Sequence, residues 1–185
     1  MNALLSFFWP LAASGLVIGI VTGAIGFRMP PAQIKQHHAG EPLTGPNLKK
    51  TRRIALAAGT MAAIVGVGMW MGPMHAAALF TQRVERDVRI TLDNYEMPQV
   101  TGHLHHGPLS RQLILSGPGD DFQRAELARI MEIIPGVREA HWSNRGGGVP
   151  LIVEGSAIAI LGFLLGLLVA YLVELRRRYN AQWNW

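Results

Sequence analysis

Three long stretches without charged side chains constrain what this chain can fold into. No Asp, Glu, Lys or Arg occurs in residues 1–27 or 54–80, and in 151–173 Glu154 alone interrupts the run. Each stretch exceeds the roughly 20 apolar residues that cross a hydrocarbon layer about 30 Å thick. In lipid the backbone has no water to bond to, so an isolated run of this kind must satisfy its own N–H and C=O groups by becoming a helix. The expectation is an integral membrane α-helical protein with spans at 1–27, 54–80 and 151–174.

The charges sort the remaining segments. Residues 28–53 carry Arg28, Lys35, Lys49, Lys50, Arg52 and Arg53 against Glu41 alone, and 175–185 carry Arg176, Arg177 and Arg178. The positive-inside bias makes both cytoplasmic. Residues 81–150 hold eight Arg and nine acids and are nearly neutral, which suits export. Three spans with a cytoplasmic C-terminus then require a periplasmic N-terminus in the bacterial inner membrane. A cleaved signal peptide would open with a basic region and close on a small-residue cleavage site. The first run opens uncharged, with its nearest cation at Arg28 behind it, so it is expected to persist as a span. The net charge of +5 sits beside span ends, where topology accounts for it, and nucleic acid is not expected as a partner. With no Cys, disulfides, thiolate metal sites and Cys nucleophiles are excluded.

Between the second and third spans, 81–145 read as a small α/β domain. Residues 99–104 and 110–116 read as strands joined by His106-Gly107-Pro108, with Leu113 and Leu115 on one face. Asp120 and Asp121 offer N-caps to a helix whose Leu127, Ile130, Met131 and Ile134 recur at helical spacing. Pro135-Gly136 ends it, and 137–142 read as a third strand. In 81–94, Val84 and Val88 fit a helix whereas Val88, Ile90 and Leu92 alternate as in a strand, so helix followed by extended chain is expected. Gly146, Gly147, Gly148 and Pro150 suggest a flexible hinge over 146–150. The segment 28–53, rich in Pro and Gly at Pro42, Gly45 and Pro46, has too few large apolar residues for a core.

The run from Leu113 to Gly117, the helix with Ala125 and Ala128, and Gly136-Val137 after it together resemble a BON domain, a small α/β module of bacterial envelope proteins. The resemblance covers 82–143, about a third of the chain. It implies a periplasmic, noncatalytic module that contacts lipid, peptidoglycan or protein, with Gly117 and Gly136 allowing tight turns between strand and helix.

Small residues recur at four-residue spacing on the runs: Gly15, Gly19 and Gly23; Gly162, Gly166 and Ala170; and more weakly Ala58, Ala62 and Gly66. Lipid offers no hydrophobic drive between helices, so close packing of such stripes must hold them. They predict helix partners, either among the three spans or in other membrane protein subunits. His103, His105 and His106 with His141 form a candidate metal set, since imidazole binds Zn, Cu or Ni; His37 and His38 are a weaker pair. Glu154, one turn inside the third run, is an intramembrane polar candidate, better suited to water or partner contact than to proton transfer.

No GxGxxG, Walker, GxSxG or HExxH pattern occurs, so no enzyme and no cofactor is expected. The reading is a noncatalytic accessory or structural subunit of an inner-membrane complex, respiratory and photosynthetic assemblies being candidates, with other subunits and lipid as partners. The alternatives are an independent envelope protein binding phospholipid or peptidoglycan, and a metal-handling membrane protein using the histidines.

Overall fold

The computed structural model describes residues 3–30, 47–142 and 148–183. The expectations placed on Lys35, His37, His38, Glu41, Pro42, Gly45, Pro46, Gly146 and Gly147 lie outside the described residues. Within them the chain forms helix α1 (Ala3–Phe27), α2 (Leu48–Met71), α3 (Ala76–Asn94), strands β1 (Thr101–His106) and β2 (Leu109–Ser116), helix α4 (Asp121–Met131), strand β3 (Glu139–His141) and helix α5 (Leu151–Trp183). Helices α1 and α2 and the segment Leu151–Ala181 of α5 are long and apolar enough to cross a membrane.

Helix ends and the ends of uncharged runs differ. Helix α2 starts at Leu48 rather than at Ile54, because Lys and Arg are good helix formers and Asn47 accepts from Lys50 N through its side chain at 3.3 Å. It stops at Met71, before Gly72-Pro73 and short of the end of the uncharged run at residue 80, because proline lacks the N–H that would extend the ladder. His75, at φ 56°, then turns the chain into α3. That helix runs through Asn94, so the extended chain expected late in 81–94 is absent. Phe80, Val84, Val88 and Leu92 are buried at four-residue spacing while Ile90 is 52% exposed; packing selects the helical period over the alternation. Helix α5 likewise continues past Glu174 to Trp183, so 175–183 are helix and not a separate tail.

The chain divides into two compact units. One comprises Met1–Pro10 and Gly68–Ala157 and contains the sheet, in the order β1-β2-β3. β1 and β2 are antiparallel, with His103 opposite Ile114 and Leu104 opposite Leu113. β2 and β3 are parallel, with Leu113 opposite Ala140 and Ile114 opposite His141. Leu104, Leu113, Leu115 and Ala140 are buried with Val84, Val88 and Leu92 of α3 and Leu127 and Met131 of α4, making the core of this unit. Asp120 caps α4, accepting from Gln123 N at 2.7 Å while the Gln123 side chain accepts from Asp120 N at 3.3 Å, a reciprocal pair that satisfies two orphan donors. On the surface of α4, its hydrogen bond to Arg129 holds the Glu126 carboxyl below its ordinary pKa. The described part of the expected hinge is tied down: Gly148 N donates to Gln112 Oε1 at 3.1 Å and Pro150 pairs with Ser110.

The other unit comprises Leu11–Val67 and Ile158–Trp185 and is helical throughout its described secondary structure.

Candidate functional site: a glycine seam, two carboxylate clamps and an open groove

Within the helical unit, the two strongest small-residue stripes face each other. A Cβ built on Gly15 would strike the carbonyl of Ala159, one on Gly19 that of Phe163, one on Gly162 that of Ala12, and one on Gly166 that of Leu16. Gly23 meets the Ala170 side chain. The paired numbers rise together along both helices, so α1 and α5 run in the same direction. Backbone-to-backbone approach is what glycine at this spacing permits. The seam brings both stripes together within the chain.

The third stripe is displaced by one residue. Gly59, Ala63 and Val67 are the buried row of α2, with Gly59 against the Thr22 side chain. Ala58 and Ala62, which the spacing singled out, are exposed. They line a groove of about 580 Å³ with Val17, Val21, Ile25 and Ile54. Gly66 and Gly68 have open space where a Cβ would stand.

Two carboxylates are held by arginine pairs. Glu154, in the first turn of α5, receives Arg111 Nη1 on Oε2 at 3.3 Å and Arg138 Nη1 on Oε1 at 3.1 Å, with its side chain 14% exposed. Arg111 Nε also donates to Gly136 O at 3.2 Å. The polar residue inferred for the third run is thus the anchor of α5 to β2 and to the turn before β3, and its charge sits favourably at a helix N-terminus. Converting Glu154 to Gln is expected to cost about 2 kcal/mol, because two guanidinium groups lose a charged acceptor. Thermal unfolding of the detergent-purified chain measures it, and a midpoint equal to wild type would refute the clamp.

Glu174 holds the far end of α5. It is 8% exposed; it accepts from Met29 N at 3.0 Å, Arg177 Nη1 at 3.0 Å and Arg178 Nε at 3.2 Å. Arg178 Nη2 donates onward to Phe27 O at 2.7 Å and Arg177 Nη2 to Met29 O at 3.4 Å. Cations here satisfy carbonyls at and just beyond the α1 C-terminus, where the last turn has no partners of its own. Sequence reading assigned Arg177 and Arg178 to topology and missed this role. The adjacent Arg176-Arg177-Arg178 gave no sign of which cations bond inward, though Glu174 at i−3 and i−4 marks a local pair.

The histidines do not converge. His103 and His141 stand on opposite sides of Ile114 across β2. His105 Nδ1 lies 3.1 Å from Pro108 O, and His106 Nε2 is 3.8 Å from Glu85. Among the described residues no three His, Asp or Glu side chains are grouped to hold a metal ion. The metal set expected at His103, His105, His106 and His141 is therefore not assembled: alternation put His103 and His105 on one face, but the intervening strand separates them from His141.

Gly117 (φ 147°) follows β2, and Gly136 (φ 119°) precedes β3. A Cβ on Gly117 would come within 2.8 Å of Gln99 O, and one on Gly136 would strike Val84 Cγ2. Val137, beside it, is buried. Both turns thus need glycine for conformation and for space. Fold and site define a class: three helices long and apolar enough to cross a membrane, accompanied by a small α/β sheet domain. Comparison with protein-family models, curated proteins and solved structures found no match.

Proposed function

We propose that the chain is a noncatalytic accessory or structural subunit of a bacterial inner-membrane complex. Its three apolar helices span the membrane with the N-terminus periplasmic, and its α/β domain, a BON-like module, contacts protein outside the cytoplasm. The observation that carries this reading is the unused face of α2. Helix interiors lose about 1 kcal/mol at each glycine relative to alanine, yet Gly66, which follows Ala58 and Ala62 at four-residue spacing on the same side of α2, has nothing within 4 Å of a Cβ position. Exposed Ala58 and Ala62 border the same helix's groove. In lipid, small side chains serve close approach by another helix, and the seam of α1 and α5 already accounts for the remaining stripes.

Gentle detergent extraction followed by mass spectrometry tests it. Stoichiometric co-purification of other membrane subunits is expected. Replacing Ala62 by Phe is expected to reduce their recovery about tenfold, a loss of about 1.4 kcal/mol in association, while the thermal midpoint of the chain stays put because Ala62 is exposed. Recovery of wild type as a lone chain would overturn the subunit reading. It would favour an independent envelope protein whose α/β domain binds phospholipid or peptidoglycan.

A further inference from the structure

In the unit containing the sheet, the start of α1, the end of α2 and the first turns of α3 enclose a pocket of about 130 Å³. Its walls include Phe7, Trp70, Met74, Leu79 and Phe80, and its polar edge is Ser6 with Arg83. The walls are rigidly set: Phe7 and Phe80 pack with ring centroids 5.1 Å apart, and Trp70 Nε1 donates to Phe7 O at 3.2 Å. Arg83 Nη1 donates to Ser6 Oγ at 2.6 Å. A guanidinium carries five N–H donors, and among the described residues no carboxylate forms an ion pair with this one. Arg83 is exposed, with Leu79 and Met74 beside the pocket 60% and 56% exposed.

We propose that this pocket binds the phosphate end of an anionic phospholipid, with Arg83 on the phosphate and the acyl chain leaving over Leu79 and Met74. Three features select this occupant. A guanidinium with no carboxylate partner among the described residues matches a phosphate in charge and in fork geometry. Apolar walls directly beneath it suit an amphiphile and not a free ion. A cavity of this volume falls below the roughly 300–1,000 Å³ of clefts that enclose a whole organic ligand, so it takes one end of a longer molecule. The position also follows from the membrane reading proposed above, on which this inference rests: the pocket is built from the ends of two spanning helices, where headgroups lie, and a tryptophan in its wall suits that layer.

The test uses the full chain, purified in mild detergent, stripped of lipid and titrated with dioleoyl phosphatidylglycerol under native mass spectrometry. One tightly held lipid per chain is expected. Arg83→Gln is expected to weaken it about tenfold, the scale of a lost charge-assisted hydrogen bond. Phosphatidylcholine should bind less well, and inorganic phosphate should not displace the bound lipid. Equal binding by R83Q and wild type overturns the site; so does displacement by inorganic phosphate, which would indicate a free-anion site. Should R83Q fail to fold, Leu79→Gln, altered at an exposed side chain, must weaken lipid binding, and unchanged lipid binding counts against the site equally. Alkaline carbonate washing separates the two levels. Release of wild-type chain from membranes sinks the membrane reading itself, whereas retained chain lacking Arg83-dependent lipid sinks this pocket alone.

Discussion

Isoleucine at both Gly19 and Gly166 is expected to unfold the helical unit, with a loss on the order of 3 kcal/mol or more, the upper range for overpacking a tight interface. The Cβ positions at these sites meet backbone, at Phe163 O and Leu16 O, and backbone inside a helix has no rotamer into which to retreat. Relief therefore requires α1 and α5 to move apart, which forfeits the dispersion contacts along the seam. Titration of the detergent-solubilised protein with a denaturing detergent, followed by circular dichroism, reads the midpoint. Gly68→Ile is the control, since open space surrounds its Cβ position. A double variant that folds like wild type but loses only its association with other subunits would show that the stripes serve outside partners, against the geometry described here.

The second large effect is expected at Gly136. Valine there must adopt φ 119°, a region that side chains with a Cβ rarely enter and that costs about 1–3 kcal/mol. Its Cβ would also collide with Val84 Cγ2, and Phe80 stands close by. Val84 is fully buried and Phe80 is 3% exposed, so neither side chain can swing into solvent. The combined penalty of about 3 kcal/mol corresponds to a fall of at least about 10 °C in the unfolding midpoint of a domain this size. Differential scanning fluorimetry of the full chain measures the shift. Gly107→Ala, where a Cβ finds open space, should leave the midpoint within about 2 °C; equal shifts for the two variants would remove the steric explanation.

The three long apolar helices were legible because apolar content and length are additive properties of a run, readable from residues 1–27, 54–80 and 151–173 without knowing any contact. Both strands of the hairpin and the Asp120 cap were legible for a related reason: alternation and capping are local. What escaped depends on distant partners. Nothing near Val88 in the chain says that Ile90 faces out while Leu92 faces the sheet; α3 packing against β1 decides that. The one-residue offset on α2, with Gly59 and Ala63 buried in place of Ala58 and Ala62, has the same origin, since small residues occur on several faces of that helix and only the position of Thr22 selects among them. Likewise, Glu154 was visible as an anomaly in an apolar run, but its partners, Arg111 and Arg138, come from a β-strand and a turn that no spacing rule connects to it.

The pairing of α1 with α5 has a consequence for how the molecule is made. A ribosome delivers the chain from its N-terminus, so Gly19 emerges long before Gly166, the residue that will cover it. Throughout most of synthesis the first helix waits with its narrow face bare, and assembly of the helical unit becomes a late event, triggered by the arrival of the final helix.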